Sequence, residues 1–304
     1  MRVDDRLAQD EWVNGLNWLP LEVPKRLFRF RSFQNINYAR KELEEIEQNC
    51  RIFVSRAEDL NDPLDCSPLV DVFTKSDAKN LIVKLEKFKE TCPEVNLQSL
   101  ILESHLAFCK EAAFQVWSVD YIQHLFENAK KRLRVACFTA DCSSTKMWND
   151  YANKFKGVCF EFELKEECPM DIASITFSGG IGMLRDVVYS KDRPIIFPAS
   201  IIVAALGRYS LPLNLMLGQP AVKEIFSKSY FVKSEYWSSE NEIRLVTQRA
   251  MQYLSIDPYK VKSLILGPKY DNENLEEISS WAKRAGVSLL RSRLSDNYGV
   301  EIDR

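Results

Sequence analysis

The sequence predicts an α+β fold in which mixed central sheets carry a large helical insertion. Three observations lead there. Short segments on both sides of residue 134 alternate apolar and polar residues at strand spacing. Between them, residues 75–134 carry apolar residues three and four apart, the spacing of amphipathic helices. No internal repeat, low-complexity tract or linker rich in glycine or serine divides the chain, so residues 1–304 read as a single domain with 75–134 inserted in it.

Composition narrows the function classes. A chain of 304 residues, 46% hydrophobic and 28% charged, can bury a substantial core and is neither fibrous nor disordered. A net charge of -2 supplies no global attraction to nucleic acid or an acidic membrane. The cysteines at 50, 66, 92, 109, 137, 142, 159 and 168 form no C-x-x-C pair, and the start of the chain lacks the apolar stretch of a secretory signal. Reduced thiols in a cytoplasmic protein are expected. His105 and His124 both fall in helical patterns, which leaves a Ser-His-Asp or Cys-His arrangement without support. The apolar run Ile195–Gly207, broken by Pro198, is too short to span a bilayer and reads as a buried helix.

Taken in order, residues 1–24 read as an irregular lead-in. Leu27–Phe33 reads as a strand with Arg29 and Arg31 on one face and Phe28 and Phe30 on the other. Asn37 is placed to cap a helix over Tyr38–Gln48 with an apolar stripe at Tyr38, Leu43 and Ile46. Arg51–Ser55 is a second short strand that enters a polar turn, Ala57–Cys66, where Asn61, Asp62 and Asp65 can bond their own backbone around Pro63. Helices follow at Asp77–Glu90, Leu97–Phe114 and Val119–Arg134.

Strand character returns at Arg134–Thr139. Residues Asp141–Thr145 supply caps for a helix over Lys146–Asn153, with Met147, Trp148 and Tyr151 on one side and Gly157 as its end. Val158–Leu164 alternates as a strand, Asp186–Tyr189 is another, and Pro198–Lys228 is mostly helical. Glu240–Thr247 reads as a strand with Glu240, Glu242 and Arg244 along one face. A strand at Val261–Gly267, a helix at Asn272–Ala285 closed by Gly286 and a strand at Val287–Arg291 complete the pattern.

Glycine-rich phosphate loops, H-E-x-x-H and paired C-x-x-C motifs are absent, which removes the Rossmann, P-loop and common zinc-enzyme classes. What remains is a set of polar residues near strand ends. Phe28-Arg-Phe-Arg31, Ile52-Phe-Val-Ser55 with Leu60-Asn-Asp-Pro-Leu-Asp65, Met147-Trp-x-x-Tyr-Ala152 with Gly157, Trp237-x-x-Glu-x-Glu-x-Arg244 and Leu266-Gly-Pro268 together resemble an uncharacterised bacterial family, the domain of unknown function 2971. That resemblance runs from about residue 26 to 291 and brings no established activity.

A second resemblance implies chemistry. An arginine-bearing strand, a helix, a strand ending in serine and a late strand with Glu-x-Glu are similar in order to the arginine-serine-glutamate ADP-ribosyltransferases. This implies an ADP-ribosyltransferase-like core, NAD as substrate, and transfer of ADP-ribose to a macromolecular acceptor, protein or nucleic acid, or hydrolysis of NAD, in bacterial antiviral defence. By the same resemblance Arg29 or Arg31 would hold the phosphates, Ser55 would brace the site, Glu242 would bond the nicotinamide ribose and Glu240 would orient the acceptor. The Asn61 and Asp62 loop would border the cofactor, and Phe53, Trp148 or Tyr151 would stack the nicotinamide. Leaving-group departure puts positive charge on the ribose, which a fixed carboxylate stabilises, while arginine offers paired donors to a pyrophosphate. Two departures stand out: Ser55 is followed by Arg56, not by small hydroxyl residues, and Arg244 shares the expected face of the glutamates.

Two other classes fit parts of the pattern. Asp62, Asp65, Glu240 and Glu242 could bind divalent cations in a metal-dependent phosphodiesterase or nuclease. Alternatively, a non-enzymatic module would dock an operon-encoded protein through the helices of 77–134 or 195–228.

Overall fold

The computed structural model describes residues 24–33, 36–71, 123–124, 126–165, 176–177, 180–196, 220–247, 251–271 and 274–303. The helices expected over 77–114 and most of Pro198–Lys228 lie outside these residues. In chain order the elements are β1 (Arg26–Arg31), α1 (Ile36–Asn49), β2 (Arg51–Phe53), β3 (Ser55–Arg56), β4 (Leu69–Val70), β5 (Arg134–Thr139), α2 (Thr145–Tyr151), β6 (Val158–Leu164), β7 (Thr176–Phe177), β8 (Gly180–Asp186), β9 (Val188–Ser190) and β10 (Ile195–Ile196). They continue with α3 (Pro220–Tyr230), β11 (Val232–Ser234), β12 (Glu242–Thr247), β13 (Tyr253–Ser255), β14 (Tyr259–Leu266), α4 (Leu275–Ala285), β15 (Ser288–Leu294) and β16 (Val300–Asp303). Short 3-10 segments cover Ala57–Asp59 and Glu235–Glu240, and residues 126–132 are helical. Helices and a mixed sheet in one chain make the fold α+β. Among the described residues no helix is long and apolar enough to cross a membrane.

Contacts gather the chain into two compact units. One comprises the described residues within 60–131 and 190–234, the other those within 24–59, 132–189 and 235–303. The second unit holds a sheet in the order β16-β15-β14-β6-β1-β5-β12-β8-β7, with β3 also on β5. Its pairings are antiparallel except β14 with β15. β1 pairs with β6 from Arg26↔Glu163 to Arg31↔Val158, yet meets β5 only at Phe28↔Thr139. The first residues of β5 are taken by β3 through Ser55↔Val135 and Arg56↔Arg134.

Both faces of this sheet are covered. On one, Leu27, Phe138 and Phe162 pack with Leu43 and Ile46 of α1 and with Ile278 and Trp281 of α4, whose indole N–H donates to the Leu43 carbonyl at 2.9 Å. On the other, Phe28 and Phe30 pack with Trp148 and Ala152. Leu27 to Phe30 are therefore all buried. Alternation in β1 sorts residues between two interiors, so Arg29 is not the solvated face residue its position suggests.

Local corrections have local causes. α1 begins at Ile36, which puts Asn37 inside the first turn and not at the cap. The strand expected over Arg51–Ser55 is two short strands separated at Val54. α2 stops at Tyr151 because Asn153, Lys154 and Phe155 all take positive φ. The turn they form packs so closely that a Cβ on Gly157 would lie 2.2 Å from the Arg31 carbonyl oxygen. Gly286, with φ 66, ends α4 as expected. In the first unit Ile195–Ile196 is a strand, not the start of a buried helix, and pairs in parallel with Leu69–Val70.

Candidate functional site

The site grows from α2. The Ser144 side chain accepts the Met147 amide and caps the helix. Trp148, wholly buried, donates its indole N–H to the Cys142 carbonyl at 2.8 Å and stands edge-on to Phe30, with ring centroids 5.0 Å apart. This fixes the rotation of the helix about its axis. One turn later Tyr151 projects its hydroxyl onto Oε1 of Glu240 at 2.6 Å.

Glu240 is not on the strand. It closes the 3-10 segment Glu235–Glu240, where the Asn241 amide returns to the Ser238 carbonyl at 3.2 Å and Asn241 itself takes φ 44. Asparagine tolerates that left-handed conformation better than most residues. β12 therefore starts at Glu242, and the row of charges expected at every second residue begins one charge late. Glu242 and Arg244 do share a face, and they form a bidentate pair at 2.6 and 2.9 Å. Glu240 and Glu242 are about as buried as the core, and Arg244 is fully so.

Two further residues complete the arrangement. The Tyr189 hydroxyl accepts the Glu242 amide at 2.8 Å. Thr139, opposite Glu242 in the ladder, accepts the Asp141 amide at 3.2 Å. On the outer side the Lys146 ammonium sits 5.0 Å from the centre of the Trp237 ring and pairs with Asp150 at 2.6 Å. Thr139 was recoverable only from the strand register, and Tyr189 had no sequence signal.

The remaining expected residues go elsewhere. Register places Glu242 beside Thr139 and Thr139 beside Phe28, so Glu242 lies on the face of Phe28 while Arg29 and Arg31 lie on the opposite one. There Arg31 binds Glu42 at 2.7 Å, and Arg29 stands 3.8 Å from the other Glu42 oxygen and 5.9 Å from the Phe138 ring centre. Burial, then the neighbouring Arg31, lowers Arg29 to about 10 against the raising pull of Glu42, which leaves it charged at neutral pH. Ser55 is on the Glu242 face but pairs with Val135, four residues along β5 from Thr139 and so about 13 Å away. The cleft expected from Arg29 or Arg31, Ser55 and Glu242 is not assembled. Of the expected stacking residues Trp148 is core, Phe53 stands against Tyr253 and Tyr151 reaches Glu240.

In the other unit Asp62 accepts the Leu64 amide at 2.9 Å and Asp65 the Cys66 amide at 2.8 Å, as their turn chemistry predicts. Asn61 belongs to the same turn region. Among the described residues no three histidine, cysteine, aspartate or glutamate side chains are grouped to hold a metal.

Residues 147–245 match the family described as protein of unknown function DUF2971. The expected resemblance is thus borne out over that segment. The DUF2971 segment opens on the Met-Trp of α2 and closes just beyond Arg244, so the Tyr151–Glu240 bond joins motifs from its two ends. No curated protein and no solved structure matches the chain.

Proposed function

We propose that the chain is an ADP-ribosyltransferase-like enzyme that consumes NAD, transferring ADP-ribose to a protein or nucleic-acid acceptor or to water. The observation that carries the proposal is the meeting of Tyr151 and Glu240 beside the Glu242–Arg244 pair. In the reaction the bond between ribose C1′ and the nicotinamide nitrogen breaks, its electron pair leaves with nicotinamide, and the acceptor forms the new bond to C1′ while losing a proton. Positive charge develops on the ribose, and a carboxylate held in one orientation stabilises it without reorganising.

Glu240 takes that role, oriented by the phenol of Tyr151. Glu242 has both oxygens on a guanidinium, so much of its charge is compensated. Its role is to anchor the first residue of β12 and hold the turn that carries Glu240. The expected catalytic emphasis on Glu242 moves to Glu240, and Arg29 and Arg31 take no part. A reducing, cytoplasmic setting belongs to the proposal, in which Cys50, Cys66, Cys137, Cys142 and Cys159 stay out of disulfides.

Incubation of the full chain with NAD labelled in the adenylate, alone and with cell lysate or RNA, tests the proposal. Release of nicotinamide with the label recovered in free ADP-ribose or on a macromolecule is expected. Absence of both nicotinamide release and NAD binding by calorimetry overturns it.

A further inference from the structure

The unit formed from residues within 60–131 and 190–234 contains two cations, Lys130 and Arg193, that pair with no carboxylate among the described residues. β4 and β10 run parallel with Leu69 beside Ile195, and the Leu69 amide reaches the Pro194 carbonyl at 2.8 Å. Their entrances, Ser67 and Arg193, are therefore neighbours, and the Arg193 Nη2 donates to the Ser67 carbonyl. From the helical residues 126–132, Lys130 brings its ammonium to the Ser67 hydroxyl at 2.7 Å. Lys130 is only 8% exposed.

Among the described residues neither cation pairs with a carboxylate. Two buried acids of the unit are engaged with other lysines: Asp65 with Lys233 at 3.9 Å and Glu224 with Lys228 at 3.1 Å. The Arg193 Nε is buried and lacks a hydrogen-bond partner. A buried ammonium and a half-buried guanidinium whose Nε is out of water, both resting on one neutral serine, are unfavourable unless an anion joins them.

We infer that Ser67, Lys130 and Arg193 form a binding site for the phosphoryl group of a small molecule. A tetrahedral oxyanion has acceptors for Lys130 Nζ, Arg193 Nε and the Ser67 hydroxyl at once. The burial of Lys130 favours a compact phosphate over a nucleic-acid backbone, whose binding groups lie along an exposed track. This site is independent of the carboxylates on which the proposed function rests.

Calorimetric titration of the full chain with inorganic phosphate, pyrophosphate and ADP, at low ionic strength, tests it. Binding by the wild type is expected, at least about ten-fold weaker in both Lys130→Met and Arg193→Gln and retained in Lys130→Arg. Glu240→Gln binds like the wild type. A preference for ADP over inorganic phosphate would identify a nucleotide as the source of the phosphoryl group, and equal binding would identify free phosphate. No binding by the wild type, or equal affinity in Arg193→Gln and wild type, overturns the inference. Should Lys130→Met fail to show a cooperative melt, the Arg193→Gln comparison decides. Loss of phosphate binding with NAD turnover intact, or the reverse, separates this site from the proposed catalytic one.

Discussion

Arg244 has no measurable exposure and grips both oxygens of Glu242. Replacing it by methionine takes the guanidinium from a buried carboxylate and is expected to cost about 3–5 kcal/mol in urea unfolding, while the Glu242→Gln/Arg244→Met double variant recovers part of that loss. Glu42, between Arg29 and Arg31, predicts a comparable result: Glu42→Gln strands two guanidinium groups and destabilises by about 3 kcal/mol. The pairing of Glu242 with Arg244 was legible in the sequence because residues two apart on a strand share a face. Glu240 was not, because a single left-handed residue, Asn241, removes it from the strand. The burial of Arg29 was hidden for a different reason: a charge in an alternating segment looks solvent-facing, and only α1 packing above β1 makes that face an interior.

At the scale of elements, α2 and the turn after it set the position of Tyr151. Spacing in the sequence placed Trp148 and Tyr151 on one side of this helix, but its C-terminal limit depends on three successive residues with positive φ that carry no glycine to announce them. Gly157→Ala tests how rigid that turn is. With the Arg31 carbonyl 2.2 Å from the added methyl group, the variant should lose about 2–3 kcal/mol in urea unfolding and, with it, the proposed NAD turnover. The Lys146–Asp150 pair on the outer side of α2 makes a smaller contribution. Burial alone raises the Asp150 carboxyl, but hydrogen bonds from Lys146 and Asn149 outweigh it and bring it below its ordinary value. A carboxyl lowered by folding adds stability above its unfolded pKa of about 3.9 and loses it as pH falls through the lower folded value. Asp150→Asn should therefore cost roughly 0.5 kcal/mol at pH 7, screened by solvent, and progressively less as pH falls through the lowered folded value.

Across the whole molecule, several strands of the large sheet could be drawn from alternation, and Arg134–Thr139 and Val158–Leu164 have the limits expected. Their order in the sheet could not, because pairing between β1 and β5, or β5 and β12, joins segments more than a hundred residues apart. That order decides the site. It sends Arg29 and Arg31 to one face and Glu242 to the other, and it leaves the Tyr151, Glu240, Glu242 and Arg244 group as what the two ends of the DUF2971 segment build together. We propose that Glu240, oriented by Tyr151, is the carboxylate that stabilises the charge on the ribose. The most direct test is the rate of nicotinamide release from NAD by Glu240→Gln beside the wild type, with thermal melts of both. A fall of about 100-fold or more with an unchanged melting temperature is predicted; a wild-type rate in a folded Glu240→Gln protein would contradict the account.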